Sequence, residues 1–558
     1  MSPSKTISEP HWEDAGAKKR ASLEASLPKE WRVPSDLLPH ESQTDVTNWA
    51  ETSGWFTPEE LSITNSTAAE LLPKLASGEL KSLDVTKAFC KRAVAAHQLV
   101  KTCFERALAT ARARDEELAR TGKPVGSLHG LPISLKDNFK LKGLDSTVGI
   151  AAHIDDPADS DSPLAQLLEA AGAVFYVKTN VPTAMMIAET VNNVFGRTVN
   201  PRNRLTTSGG SSGGESSLIV LRGSPLGVGS DIGTIPFFLS HSIKNIVLTL
   251  YYQGGSLRIP AACAGLFTIR PSAGRFPVRN TRSGMPGQEA VLSVNGPLAN
   301  TIEDVELYSK SLIGEKPWLR DPKCVPIPWR EVELPKKLKI GVMWHDGMVR
   351  PTPPVARALR EVKAKLETAG HEFVEWDPVD QEEGNELLGR MFVADGGLTI
   401  KKELDRTGEP WRPEMEAYSA AKDLTTSEMW KLHLERSEFQ GRYLDRWTKA
   451  GIDALLIPTI PFNTVRHGAF KHVGYTGVYN VLDYSATSFV TGLTVDKSID
   501  QLNGYEPLGD ICKAVNEDLS TDDAELMHGL PISLQLVAQR LEEEKVLAMT
   551  KHVLEVIA

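Results

Sequence analysis

Two α/β units, one in each half of the chain, constrain its fold most strongly. In the first, Ser162 can cap a helix with Pro163 at its first position, and an apolar strand at 173–178 follows. The second unit, at 338–376, consists of a strand, a helix and a returning strand. Such alternation favours a largely parallel or mixed sheet with helices packed on it. We therefore predict an α/β fold with a mixed β-sheet core covered by helices on both sides.

The N-terminal region differs in composition from the rest of the chain. Residues 1–60 are rich in charge, proline and tryptophan and contain no residues arranged for chemistry. Between 67 and 120, apolar residues recur at three- and four-residue intervals, which predicts amphipathic helices. We expect a partly helical arm at 1–60, followed by a single large domain at 61–558.

Composition narrows the functional class and the cellular compartment. The net charge of −10 lacks the basic footprint of a nucleic-acid-binding protein, so we expect no nucleic-acid partner. The five cysteines are scattered without metal-ligand spacing, which indicates reduced thiols and no metal site. No apolar run approaches the ~20 residues of a transmembrane segment, and the first residues lack a signal-peptide core. We expect a cytoplasmic protein.

A glycine- and serine-rich stretch at 207–260 is the predicted catalytic centre. Gly/Ser tracts are usually linkers, but here apolar segments at 218–221 and 225–228 flank the glycines. Glycines within a buried frame allow backbone amides to approach a ligand, and a serine among such amides has the surroundings of an oxyanion hole.

Two familiar motifs match this stretch only weakly. The run at 209–213 has the nucleophile-elbow pattern of α/β-hydrolases, yet we predict that the residues before it, 200–207, form a loop instead of the required strand. A phosphate-binding loop fits less well, because no Lys-Ser or Lys-Thr follows the glycines. An ester-cleaving α/β-hydrolase stays open as an alternative.

Lys136 is the second candidate for chemistry. It ends an apolar run at 128–135 that reads as a buried strand, and Asp137 follows it. Burial disfavours the charged amine and lowers its pKa, so Lys136 can serve as a general base. The alternatives are a structural ion pair with Asp137 and a side chain that extends to solvent.

Three blocks together resemble the amidase signature family. They are the Gly-Gly-Ser-Ser-Gly-Gly-Glu run at 209–215, the Asp-Ile-Gly of 231–233 with the Gly-Ser-Leu-Arg-Ile-Pro of 255–260, and the lysine-bearing strand at 130–137. The blocks stand in the family's order, and similarity continues to a terminal block at 529–537. The long N-terminal arm resembles the fungal acetamidase and general amidase branch.

The resemblance implies hydrolysis of small-molecule amides by a Ser–cis-Ser–Lys triad through an acyl-enzyme, with no metal or cofactor. Ser256 would be the nucleophile, Ser211 the bridging serine and Lys136 the base. The oxyanion hole would be built from backbone amides. The remaining positions that the resemblance assigns are Ile232, Gly233 and Gly255 in the oxyanion hole, Met185 in the acyl pocket, Ser212 supporting Ser211, and Asp231 paired with Arg258.

One departure from the family falls inside the catalytic loop. The family's Asp-Ile-Gly-Gly-Ser is uninterrupted, whereas here 21 residues, Thr234–Gly254, separate Gly233 from Gly255. Removing them restores the motif and the family's separation of 24 positions between Ser211 and Ser256. We interpret the insertion as untranslated sequence, such as a retained intron. If it is translated, we expect severely reduced turnover, because a misplacement of about 1 Å can cost roughly 10²-fold.

Two further alternatives remain from the sequence. One is a catalytically silent relative that only binds, which a serine reagent would distinguish by failing to label Ser256. The other is the amidase subunit of a transamidation complex acting on charged tRNA, against which the acidic composition and the long arm argue. The sequence allows a homodimer but does not fix the oligomeric state or the acyl group.

Overall fold

A computed structural model describes residues 10–96, 99–232, 254–502, 504–516 and 523–558. Gly233 and the first twenty residues of the predicted insertion lie outside the described residues. Across these ranges, we find no helix with both the length and the apolar character needed to span a bilayer.

Nine of the described helices lie in the first half of the chain. They are α1 (Trp12–Ser26), α2 (Trp49–Thr52), α3 (Pro58–Asn65), α4 (Ala68–Ser77), α5 (Ser82–Ala96), α6 (Phe104–Thr121), α7 (Pro163–Ala170), α8 (Gly213–Val220) and α9 (Arg258–Ala264). Those of the second half are α10 (Ile302–Gly314), α11 (Pro353–Thr368), α12 (Gln381–Phe392), α13 (Leu398–Asp405), α14 (Glu416–Ser419), α15 (Thr426–Ala450), α16 (Gly474–Leu482), α17 (Asp510–Asn516), α18 (Asp523–Leu526) and α19 (Glu543–Ile557).

The strands are short, and most join one sheet. They are β1 (Leu99–Thr102), β2 (Pro132–Lys136), β3 (Val174–Thr179), β4 (Val191–Asn192), β5 (Gly196–Arg197), β6 (Val199–Asn200), β7 (Asn203–Thr207), β8 (Leu226–Asp231), β9 (Phe267–Arg270), β10 (Val294–Ala299), β11 (Lys339–Val342), β12 (Glu372–Glu375), β13 (Ala454–Pro458), β14 (Ser485–Thr494) and β15 (Pro531–Ala538).

The central sheet has eleven strands in the order β1-β3-β2-β8-β10-β9-β14-β15-β13-β11-β12. Strand β2 runs parallel to β3 and β8, and β11 runs parallel to β12 and β13, while the other pairs are antiparallel. The sheet is therefore mixed. Both predicted units are confirmed: α7 leads into β3, and β11 and β12 flank α11.

Helices cover both faces of this sheet, as β13 illustrates. Its adjacent residues Leu455 and Leu456 are fully buried and point to opposite faces. Leu455 packs into a cluster with α12, α15 and α16, whereas Leu456 packs with α11 and α19. The predicted fold class is therefore confirmed.

Local capping explains where several helices begin. The Ser162 hydroxyl accepts a hydrogen bond from the Ala165 amide, with Pro163 at the first helical position, as the sequence predicts. Thr67 and Glu70 form a capping box at the start of α4.

At the N-terminal arm, Lys19 of α1 forms a buried ion pair with Asp145 and so attaches the arm to the main body.

The prediction of a loop at 200–207 is wrong for most of its length. Residues 203–207 form β7, which pairs antiparallel with β6. The pairing is local and short, and Thr206 also bridges to Arg466, far along the chain. Such a hairpin depends on tertiary contacts that leave no periodic sequence signal. A strand therefore does lead into the glycine-rich loop, although it is not a strand of the central sheet.

Candidate active site

Lys136 ends β2 in the interior of the molecule. The side chain is fully buried, and its Nζ lies 2.7 Å from Ser211 Oγ and 3.1 Å from the Ser230 carbonyl oxygen. Burial lowers the pKa of Lys136 to about 7, although the charge of Asp231, and that of Glu215 when it is ionised, opposes the shift. Among the described ion pairs none includes Lys136, so the alternative of a structural pair with Asp137 is wrong.

Parallel pairing of β2 with β8 brings this lysine to its partners. In that register Leu135 is opposite Val228, so the end of β2 lies beside Ser230. The loop between β7 and α8 then supplies Ser211, and the peptide bond Gly210–Ser211 is cis. A Cβ at Gly210 would lie 2.5 Å from the Ile187 carbonyl oxygen, so only glycine fits this close approach.

Ser212 connects the same loop to β8. Its hydroxyl lies 3.3 Å from the Ser230 carbonyl oxygen and 3.4 Å from the Ser230 amide nitrogen. The carbonyl oxygen of Ser230 therefore contacts both Ser212 and Lys136. This arrangement matches the supporting position that the resemblance implies for Ser212.

Asp231 holds the segment that contains Ser256. Its carboxylate accepts hydrogen bonds from the Gly255 amide at 3.0 Å and the Leu257 amide at 3.4 Å, on either side of Ser256. Arg258 lies 3.5 Å away, as the predicted pair requires. Burial raises the pKa of Asp231, but Arg258 and the other donors outweigh burial and lower it overall.

Asn480 of α16 completes this network. Its amide donates to Asp231 at 2.8 Å, while its carbonyl accepts from Arg258 at 2.6 Å. No motif in the sequence points to Asn480, which lies 249 positions from Asp231. Its contribution depends on the position of α16 beside Asp231 and Gly254.

Ser256 is fully buried, and its Oγ has no hydrogen-bond partner among the described residues. The contact between Ser211 and Ser256 that a relay needs is thus not formed in this structure. Gly255, with φ of +135°, precedes it, and a Cβ there would lie 2.5 Å from Thr476 Oγ1. The backbone around the serine is therefore closely confined.

Met185 and Ile232 line a cavity of about 500 Å³ together with Ser230. Met186 and Met285 add to its apolar wall. Gly233 lies outside the described residues, so its predicted place in the oxyanion hole stays a prediction. Within the described ranges, no cluster of three or more histidine, cysteine, aspartate or glutamate side chains could hold a metal ion. All five cysteines are buried and free.

Comparisons with known proteins define the class. Residues 84–234 and 253–547 match the Amidase family model. The chain is 41% identical to the acetamidase of Aspergillus oryzae, over 97% of this chain and 98% of that protein. Its identity to the acetamidase of Emericella nidulans is 40%, over 97% of each chain.

A solved structure agrees with these sequence matches. Fatty acid amide hydrolase superposes with a TM-score of 0.89 at 32% identity, covering 98% of this chain and 95% of that one. The fold and the matches define an amide-hydrolysing enzyme. The chain belongs to the amidase signature family.

The family match is discontinuous where the sequence predicts an insertion. It stops at 234 and resumes at 253, so the matched ranges leave out residues 235–252. Those positions fall within Thr234–Gly254, the segment whose removal restores the family motif.

Proposed function

We propose that this amidase hydrolyses carboxamides through a Ser256–Ser211–Lys136 relay and an acyl-enzyme. The observation that carries the proposal is the 2.7 Å contact between a fully buried lysine amine and the Ser211 hydroxyl, without a carboxylate partner for the amine. A neutral amine in that position can accept the hydroxyl proton.

The reaction proceeds by proton transfer along the relay. Ser211 gives its proton to Lys136 and takes one from Ser256, whose oxygen then forms a bond to the amide carbon. The tetrahedral intermediate collapses, the C–N bond breaks, and the proton returns to the departing nitrogen. Water then attacks the ester and releases the carboxylate. The Ser256 hydroxyl has to turn toward Ser211, since catalytic hydrogen bonds are often incomplete before substrate binds.

The oxyanion hole is proposed at the turn after β8. The Gly255 amide already donates to Asp231 at 3.0 Å, so we assign stabilisation to the amides of Ile232, Gly233 and Ser256 and give Gly255 a shaping role. One such donor contributes about 3–4 kcal/mol in related acyl transfer. Asp231 and Arg258 act by fixing the loop.

The acyl group is proposed to enter the methionine-lined cavity beside Met185. The names of the relatives suggest two ends of a substrate panel, acetamide and fatty acid amides. We expect ammonia or amine release from at least one member of a panel of short aliphatic, aromatic and long-chain amides. If a protein with an uninterrupted catalytic loop releases ammonia or amine from none of these amides, the proposal is contradicted.

The insertion is proposed to be a retained intron, which sequencing of the mature message tests directly. A deletion variant lacking Thr234–Gly254 tests its effect on catalysis. We expect this variant to turn over amides at least ~10²-fold faster than the full chain, because the loop's amides regain their spacing. Equal rates would show that the insertion is tolerated.

Serine labelling separates an impaired enzyme from a silent one. In the deletion variant, Ser256→Ala should abolish both amide hydrolysis and reaction with a fluorophosphonate, while Ser283→Ala, on the cavity wall, should preserve both. Labelling that persists in Ser256→Ala would assign the nucleophile elsewhere.

Three expectations about the whole protein are also proposals. They are a single large domain at 61–558 after the arm, a cytoplasmic location, and a homodimer. The five free cysteines support a reducing compartment. Imaging of the tagged protein tests the location, and light scattering tests the dimer. We also expect no affinity for nucleic acid at this net charge.

A further inference from the structure

Glu215 is a buried carboxyl group that the relay does not use. It lies in the first turn of α8, and the side chain is fully buried. Its Oε1 is 2.6 Å from Thr179 Oγ1 and its Oε2 is 2.5 Å from Ser134 Oγ. In the described part of the chain, no ion pair involves Glu215. A buried carboxylate without a cation is costly, and such a group favours its neutral form.

The hydroxyl groups around Oε2 indicate which atom carries the proton. Ser134 Oγ has one proton but two oxygen neighbours, Glu215 Oε2 at 2.5 Å and Ser224 Oγ at 3.0 Å. The Ser224 hydroxyl lies 2.8 Å from the Leu226 carbonyl oxygen, which can only accept. When Ser224 donates to Leu226, Ser134 donates to Ser224. The short contact with Glu215 Oε2 then needs a proton on the carboxyl group.

This carboxyl group faces the same side of β2 as the base. Ser134 and Lys136 are two residues apart on a strand, so their side chains point to one face. A carboxylate there would stabilise the charged form of Lys136, since opposite charges attract strongly in a buried site. A neutral acid would not, and burial could then lower the pKa of Lys136 fully.

We propose that Glu215 is a neutral carboxylic acid at neutral pH, held so by the Ser134–Ser224–Leu226 chain, and that its neutrality leaves Lys136 a free amine. The second half rests on the proposed function, whereas the protonation state does not. Burial raises the pKa of Glu215, which also favours the neutral acid. Glu215 is thus a positioning residue that acts through Lys136.

The close approach of β8 shows how tightly the acid is enclosed. A Cβ on Gly227 would lie 1.8 Å from Glu215 Oε2 and 2.7 Å from Ser134 Oγ. The glycine therefore leaves the space that the carboxyl group occupies.

Infrared difference spectroscopy on the full chain tests the protonation state without any assay of activity. We expect the wild type minus Glu215→Gln spectrum, recorded at neutral pH, to contain the carbonyl stretch of a carboxylic acid. A difference spectrum with only carboxylate bands would overturn the proposal. Glutamine preserves the shape of the site and can donate to Ser134, so we expect this variant to fold.

Glu409 provides a matched control. It is also a buried glutamate, but its oxygens accept from the Ala151 amide at 2.7 Å and the Asn193 amide at 3.1 Å. Burial raises the pKa of Glu409 too, but these two N–H donors lower it, whereas only hydroxyl groups contact Glu215. Because N–H donors favour the carboxylate, we expect Glu409→Gln to remove carboxylate bands at the same pH. If both variants lose the same bands, the distinction between the hydroxyl chain and the N–H donors fails.

A second variant tests the hydroxyl chain itself. In Ser224→Ala, the Ser134 proton has only Glu215 to bond, which favours the carboxylate. We expect the carboxylic acid band to weaken and, in the deletion variant, the acid limb of the pH profile of kcat/KM to move to higher pH. An unchanged band would show that the chain does not control the proton. If the carboxylic acid band weakens but the acid limb of the kcat/KM profile stays in place, only the link between Glu215 and Lys136 is refuted.

Discussion

Two fully buried lysines at neighbouring strand ends have different partners. Lys136 of β2 contacts a hydroxyl and a carbonyl oxygen. Lys178 of β3 lies 3.3 Å from the Asp137 carboxylate, 2.8 Å from the Asp145 carbonyl oxygen and 2.7 Å from the Ser146 hydroxyl. Equal burial of the same side chain therefore produces different chemistry at the two sites.

The difference lies in the carboxylate. Burial lowers the pKa of Lys178 too, but the charge of Asp137 opposes that shift through a direct ion pair. Lys136 has no carboxylate within ion-pair distance among the described residues, and burial lowers its pKa to about 7. Lys178 is thus suited to be a structural cation, and Lys136 to be a base. Burial alone does not identify a catalytic lysine.

The largest expected effect comes from removing the proposed base. In the deletion variant, Lys136→Met should reduce kcat by about 10²–10⁴-fold, the contribution of a general base. The free energy of unfolding should not fall, because an apolar side chain replaces a buried amine that lacks a carboxylate partner. Steady-state kinetics and urea unfolding measure both quantities. A variant that stays active would show that the two lysines do not differ in this way.

Lys178→Met should show the opposite profile. It leaves Asp137 buried without its cation, so we expect a loss of about 3–5 kcal/mol in the free energy of unfolding. The folded fraction should keep a kcat close to that of its parent. Urea unfolding monitored by tryptophan fluorescence measures the loss. A stable but inactive variant would place Lys178 in the chemistry.

The pH dependence should separate the two sites further. With the pKa of Lys136 at about 7, the base is free above that pH, and kcat/KM should fall about tenfold per pH unit below it. The unfolded lysine keeps its proton up to about 10.4, so from about 7 upward folding becomes more favourable as pH rises, by about 1.4 kcal/mol per unit. Lys136→Met should lack this slope, which urea unfolding at several pH values measures. The slope should persist in Lys178→Arg; an unchanged slope in Lys136→Met would contradict the assignment.

The smallest expected effect concerns a single hydroxyl. Ser146→Ala removes one of the three contacts of Lys178 and should cost about 1 kcal/mol of unfolding free energy. The acid limb of kcat/KM should stay in place, because Ser146 contacts Lys178 and not Lys136. Thermal unfolding and a pH profile check both. A shift of the acid limb of kcat/KM in Ser146→Ala would mean that the Lys136 and Lys178 sites are electrostatically coupled.

Local sequence patterns predict two parts of this proposed site. The end of a buried strand identifies Lys136, and glycine density identifies the loop of Ser211, because both are local patterns. The family motifs then add Ser256 and Asp231. The structure places Lys136 against Ser211 and holds the Ser256 segment on Asp231.

Partners that depend on register or on distant packing could not be predicted. Asp137 follows Lys136 in sequence, yet it pairs with Lys178, whose distance from it depends on how β2 and β3 align. Asn480 reaches Asp231 only through the position of α16. The protonation of Glu215 depends on hydroxyl groups from two separate segments, and sequence alone does not show which way such groups point.

The pH dependence of Ser256 labelling tests the central claim most directly. The rate of fluorophosphonate attachment in the deletion variant would be followed by peptide mass spectrometry. We predict attachment at Ser256, with a rate that rises through pH about 7 and is lost in Lys136→Met but not in Lys178→Met. Attachment at another residue, or a rate that Lys136→Met leaves unchanged, would contradict the account.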